Sequence, residues 1–377
     1  MTQRMVYVLK IVQFITKMDE MGGAQVHVKH LSMYLKKLGH EVTLLSGSET
    51  PIFSELQQSG VIYRKVPHLI RDIHVLKDIK ALMEMKRILK EIQPDLLAVH
   101  SSKAGLLGRL AGWSLGIPTI FTAHGWAFTE GVPHKKRIFY SLLEKMAGIV
   151  STGIITVSHY DYQLAIQKKI IALEKIKVIH NGVPDSTKLQ QVSSNNKQIQ
   201  LIMIARFSEP KDHRSLVDVL STLETKDWNI CFVGEGPLKK EIELEVKKRN
   251  LSNQVIFLGN RDDIPEMLAR SQIFILTSDW EGLPLSVIEA MCSGLPVIAS
   301  NVGGLEELVQ DGKTGFLIEK GNKKMLREKI TLLMENSELR EQMGLSGRKS
   351  YIENFTFEKM VNETLAFYQT IINQKQN

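Results

Sequence analysis

Short apolar runs alternate with amphipathic stretches along most of this chain, and that alternation leaves few architectures open. In the first half the runs are Val6 to Ile15, Glu41 to Ser46, Val61 to Val66, Asp95 to His100, Pro118 to Ala123, Gly153 to Val157 and Lys175 to Ile179. Helical patterns lie between them. Ala24, Val28, Leu31, Leu35 and Leu38 recur at helical spacing and stop at Gly39, and a longer helix from about Ile73 to Ile92 stops before Pro94. Strands separated by helices predict a parallel sheet covered on both faces.

The pattern breaks at Asn181-Gly182-Val183-Pro184 and then starts again. A polar segment from Asp185 to Lys197 reads as the linker, so we expect one domain over 1–190 and a second over 191–377. The second set of strands is Ile199 to Ile204, Asn229 to Val233, Val255 to Leu258, Ile273 to Leu276, Pro296 to Ala299 and Gly315 to Ile318. Lys323 to Asn336, Glu338 to Ser350 and Phe357 to Asn373 read as helices. The fold class expected is α/β, with two doubly wound Rossmann-like domains.

A length of 377 residues gives each half enough chain for its own core. Charge is uneven. Through Asp185 there are 24 Lys and Arg against 15 Asp and Glu, which leaves 24 against 26 for the remainder. A basic first half suits an anionic partner such as a membrane surface or a lipid-linked phosphate. No nucleic-acid-binding module is visible, so nucleic acid is not expected. Cys231 and Cys292 lie in apolar contexts and read as reduced thiols of a cytoplasmic protein. The apolar N-terminus is interrupted by Lys10 and reads as a strand rather than a leader. No uncharged apolar run reaches membrane-spanning length.

The residues that could carry chemistry follow strands. Trp280-Glu281-Gly282-Leu283-Pro284 lies between the Ile273 strand and a helix ended by Gly294. Unpaired amides from Gly282 and Leu283 onward suit an anion at that helix start, with Pro284 in its first turn. Glu281 beside a phosphate is poor electrostatics unless it faces sugar hydroxyls, and Glu289 would reach further hydroxyls from inside the helix. Arg206 and Lys211 follow the Ile199 strand and could neutralise a diphosphate. Gly22-Gly23 follows the first strand and lets a ligand approach the backbone. His124 ends the Pro118 strand. The dinucleotide fingerprint Gly-x-Gly-x-x-Gly is absent, which argues against an NAD enzyme.

The stretch Glu-Gly-Leu-Pro-x4-Glu-Ala-Met-x2-Gly-x-Pro-Val-Ile-Ala, from Glu281 to Ala299, resembles the donor-site signature of retaining nucleotide-sugar glycosyltransferases of family 4. The resemblance implies the GT-B fold, with two domains facing across a cleft and the last helix crossing back to the first domain. It implies donor-phosphate contacts from Arg206, Lys211 and the Gly22-Gly23 turn, and ribose contacts from Glu289. Glu281 and His124 would hold the donor sugar, and no metal or other cofactor is implied. The donor expected is a UDP-sugar. Val99-His100-Ser101-Ser102-Lys103-Ala104-Gly105 and Thr122-Ala123-His124-Gly125-Trp126 look like capsule and exopolysaccharide assembly enzymes. That implies a saccharide acceptor on undecaprenyl diphosphate. Basic stretches at Arg71 to Lys90 and His134 to Arg137 would dock the enzyme on the anionic inner face of the plasma membrane. Two alternatives stay open: another GT-B enzyme such as a UDP-sugar 2-epimerase, and a non-catalytic partner subunit of the same fold.

Overall fold

The computed structural model describes residues 8–20, 22–185 and 198–376. Contacts divide the chain into two compact units, Met1–Ile179 with Val361–Asn377, and His180–Met360. The 190/191 boundary and, beyond Asp185, the linker reading fall within residues 186–197, outside the described residues.

Unit 1 runs β1 (Lys10–Ile15), α1 (Gly23–Lys37), β2 (Glu41–Ser46), α2 (Phe53–Gln58), β3 (Ile62–Lys65), α3 (Val75–Ile92) and β4 (Leu96–His100). It continues through α4 (Ser102–Leu115), β5 (Thr119–Ala123), α5 (His134–Ile149), β6 (Gly153–Thr156), α6 (His159–Gln167) and β7 (Ile176–Val178). All of its strands are parallel, in the order β3-β2-β1-β4-β5-β6-β7. The order reverses between β1 and β4, as in doubly wound sheets. Val12, Phe14, Leu97, Val99, Phe121 and Ile154 fill the core from the sheet. Helix α4 sits close on it through small residues: a Cβ on Gly108 would lie 2.4 Å from Val99 Cγ1. The strand expected from Val6 begins instead at Lys10, where pairing with Glu41 starts, and Val8 before it is exposed. Helix α2 was not anticipated, because six residues give too few turns for a periodic signal.

Unit 2 runs β8 (Ile199–Ile204), α7 (His213–Leu220), β9 (Trp228–Val233), α8 (Lys239–Lys248), β10 (Val255–Gly259), α9 (Ile264–Ala269) and β11 (Ile273–Leu276). Then come α10 (Leu285–Cys292), β12 (Val297–Ser300), α11 (Leu305–Leu308), β13 (Gly315–Ile318), α12 (Lys323–Glu335) and α13 (Ser337–Asn354). Helix α14 (Phe357–Gln376) begins in unit 2, and from Val361 onward it belongs to unit 1. This second sheet is also parallel, ordered β10-β9-β8-β11-β12-β13. Its reversal lies between β8 and β11. In an open α/β sheet the loops leaving two such strands diverge at their carboxyl ends and leave a crevice for a ligand.

Candidate active site

In unit 2 the loops after β8 and β11 carry five of the expected residues, Arg206, Lys211, Glu281, Gly282 and Leu283, and Glu289 follows in helix α10. The β8 loop is fixed from one side by the β9 turn: Phe207 N donates to Glu235 O at 3.0 Å, and Leu238 N donates to Phe207 O at 2.9 Å. Gly234 has φ +136°, and a Cβ there would lie 2.2 Å from Ala205 O, so only glycine lets that turn close on the loop that presents Arg206. From the other side the two site loops lace together. Asp212 N donates to Thr277 O at 2.9 Å, Thr277 Oγ1 donates to Asp212 O at 2.7 Å, and Lys211 and Ser278 form an isolated bridge.

Lys211 Nζ pairs directly with Glu281 Oε1, and Ser278 Oγ donates to that oxygen at 2.6 Å. Both charged side chains are largely buried. The sequence places these two residues in separate motifs, one for phosphate and one for sugar, whereas the structure makes them one ion pair. That pairing answers the electrostatic objection to a carboxylate at an anion site: a lysine sits beside it. The Glu281 loop is backed by Gly303, at φ +58°, where a Cβ would lie 2.0 Å from Glu281 O. Gly304 N donates to Gly282 O at 3.0 Å. Asn181 Nδ2 donates to Leu283 O at 2.7 Å, a support that a sequence reading of Asn181-Gly182 as a plain break misses.

Helix α10 starts after Pro284, which is its N-cap rather than a first-turn residue. No side chain caps its first amides and no acid lies in its first turn. That leaves donors facing outward at the positive end of the helix dipole. Glu289, one turn further, is partly buried, and burial pushes its carboxyl up to about 7. His213, stacked on Phe207 at 4.1 Å, is pushed down to about 4 by burial and then by Lys211, so it stays neutral at pH 7.

In unit 1 the expected residues gather where that sheet reverses. Gly22 caps α1 with extended backbone, and Gly23 opens it, with no acid in the first turn. His124 follows β5, and the loop beyond is clamped by Trp126, whose Nε1 donates to Asp161 O at 2.8 Å. His124 Nε2 lies 3.0 Å from Nδ1 of His100, the last residue of β4. His100 Nε2 lies 2.7 Å from Gln13 Oε1 on β1. His27, from α1, meets the His124 ring edge-on at 4.8 Å. Burial first, then neighbouring histidines, hold His100 and His124 well below the usual imidazole range. One ring nitrogen from each of His27, His100 and His124 lies within 4.8 Å of the others, a spacing that could hold a metal ion. Two of these nitrogens already share a hydrogen bond.

The basic stretches expected to face a membrane lie on α3 and α5. Val75, Ile79 and Met83 form an exposed stripe on α3 beside Lys80 and Arg87. Ile138, Leu142, Met146 and Ile149 form another on α5 beside Lys135, Lys136 and Lys145. Both helices pack on the same α4. Fully buried Arg109 of α4 fixes α5 by pairing with Glu144 at 2.6 Å. No helix among the described residues is long and apolar enough to cross a membrane.

Two parallel sheets, each reversing its strand order, make a pair of doubly wound, Rossmann-like units, a class of fold that takes ligands at the carboxyl ends of its strands. Family models match both halves: Glycosyltransferase Family 4 over residues 21–187 and Glycosyl transferases group 1 over residues 185–350. An uncharacterized glycosyltransferase of Methanocaldococcus jannaschii is 31% identical over 354 residues, covering 93% of this chain and 95% of that protein. The chain belongs to the family 4 glycosyltransferases. An Escherichia coli relative, UDP-Gal:alpha-D-GlcNAc-diphosphoundecaprenol alpha-1,3-galactosyltransferase, is 28% identical, covering 89% of this chain and 90% of its own length. The crystal structure of Anabaena HepE in complex with UDP-glucose superimposes with a TM-score of 0.81 at 20% identity, covering 94% of this chain and 99% of that one.

Proposed function

We propose that this glycosyltransferase moves a sugar from a UDP-sugar to a hydroxyl of a saccharide carried on a lipid diphosphate, with retention at the anomeric carbon. The observation that carries the reading is the laced pair of loops at the β8/β11 reversal, with Lys211 and Glu281 joined below the uncapped start of α10. Arg206, Lys211 and the amides from Gly282 and Leu283 onward stabilise the leaving diphosphate as its charge grows. Lys211 serves two anions, Glu281 and the incoming phosphate. Glu281 turns its second oxygen to the donor sugar, Glu289 takes the ribose hydroxyls, and His124 hydrogen-bonds the donor sugar. Gly22 and Gly23 give the diphosphate an approach to the backbone. The acceptor hydroxyl attacks the anomeric carbon on the face the phosphate leaves, the C–O bond to phosphate breaks, and the hydroxyl proton passes to the departing phosphate.

The donor reading is supported by the HepE complex with UDP-glucose, and the acceptor by the E. coli relative whose name specifies a diphosphoundecaprenol substrate. A thermal-shift screen with UDP, GDP, ADP and their sugar conjugates, in EDTA, tests it. A ligand bound only by the folded state raises the midpoint, by about 2.7 kcal/mol of stability at 100 times Kd. A rise with UDP species in EDTA is expected. A rise with GDP or ADP species alone overturns the donor. No rise with any nucleotide overturns the roles given to Arg206, Lys211 and Glu289.

A further inference from the structure

The three strands of unit 1 nearest its reversal line up a row of buried polar groups. Gln13 on β1 and His100 on β4 are fully buried, and His124 beyond β5 is half-buried. An amide oxygen only accepts, so at 2.7 Å His100 Nε2 must carry the proton that binds Gln13 Oε1. A neutral imidazole carries one proton, so His100 Nδ1 is a lone pair. At 3.0 Å the hydrogen of the next link must then come from His124 Nε2. His124 is neutral as well, and its remaining nitrogen, Nδ1, is also a lone pair. The charged and titratable neighbours are consistent with neutrality: His27 from α1 and His100 from β4 are themselves imidazoles, and the buried Tyr368 of α14 lies against Gln13.

We infer that Gln13 and His100 are positioning residues that hold His124 in the Nε2–H tautomer, so that Nδ1 can only accept a hydrogen bond. This rests on the reading of His124 as a contact to the donor sugar. It deepens that reading by fixing the partner as a sugar hydroxyl, which donates, and not a phosphate oxygen, which cannot. Rotating the Gln13 amide by half a turn would reverse every proton in the row and make His124 Nδ1 a donor, so the two arrangements predict opposite chemistry.

Protein labelled with 15N in its histidines, studied in EDTA by two-bond proton–nitrogen NMR, reads the tautomers directly. The His100 and His124 signals are assigned by loss in His100→Asn and His124→Ala. Both rings are expected to carry their proton on Nε2. A wild-type His124 protonated on Nδ1, or evenly mixed, overturns the inference without reference to any variant. Kinetics give a second reading. His100→Asn keeps an acceptor near the position of Nδ1 and should retain most of kcat. His100→Leu should lower kcat about tenfold or more with little change in donor KM. Equal activity in the two overturns the positioning role. His124→Ala separates the layers: full activity there removes the donor-sugar contact, while the spectrum still reports the row of protons.

Discussion

Glu289, to which we assign the donor's ribose hydroxyls, carries a cost in folding. Its carboxyl is pushed up to about 7 by burial, against an ordinary 4.5 in the unfolded chain. The folded state therefore holds a proton that the unfolded state loses between those pH values, and stability falls as pH rises through that window. The loss amounts to roughly 3 kcal/mol once pH exceeds 7. Glu289→Gln should raise the melting temperature at pH 8, leave it unchanged near pH 4, and weaken UDP binding, all by thermal shift. Gly23 offers the converse. Its φ is not left-handed and a Cβ would meet nothing within 4 Å, so no packing requires glycine there. Gly23→Ala should leave folding intact or up to about 1 kcal/mol more stable, yet weaken UDP-sugar binding. Unchanged binding would remove that turn from the donor site. At this scale the sequence shows residue types at strand ends but not their partners. Lys211 and Glu281 stand 70 positions apart, and His100 and Gln13 stand 87 apart, so only the folded sheet order brings them together.

Most strands could be read from their apolar runs, because burial on both faces leaves few polar positions to blur the signal. The edge strand β3, Ile-Tyr-Arg-Lys with exposed ends, is legible instead from the buried Val61 and Val66 that flank it. Most boundaries moved by a residue or two, as at the start of α10, while the start of β1 moved from Val6 to Lys10. Helices were legible where they were long and one-sided. What periodicity could not show is which way a stripe faces. The same spacing that reads as core on α1 includes, on α3 and α5, positions turned outward: Ile149 is 82% exposed. Apolar stripes flanked by lysines suit an interface with anionic lipid. Vesicles of anionic lipid should float with the wild-type protein at low salt. Leu142→Asp with Met146→Asp should lose flotation while keeping the thermal shift with UDP. Flotation unaffected by both substitutions would remove α5 from any docking face.

At the scale of the molecule the two units repeat one plan, a parallel sheet whose strand order reverses where the ligand-type loops emerge. The second unit lies between two pieces of the first along the chain. Phe367, Tyr368 and Ile371 of α14 are buried in unit 1, and a Cβ on Gly153 of β6 would press on Phe367 and Ile371. Three large apolar side chains at about 1.5–3 kcal/mol each are comparable with the whole stability of a domain. A chain ending at Met360 should therefore lose the melting transition of unit 1 and keep that of unit 2, by scanning calorimetry. Two intact transitions would show that the final helix is dispensable. The order of the pieces also matters during synthesis. The ribosome delivers the first unit's sheet first and its closing helix last, so that unit must wait, incomplete, until the second has been made. A translation product cut short after Met360 but before Phe367 would pair a finished second unit with an unsealed first one, and quality control would meet it as an unfolded protein rather than as a slow enzyme.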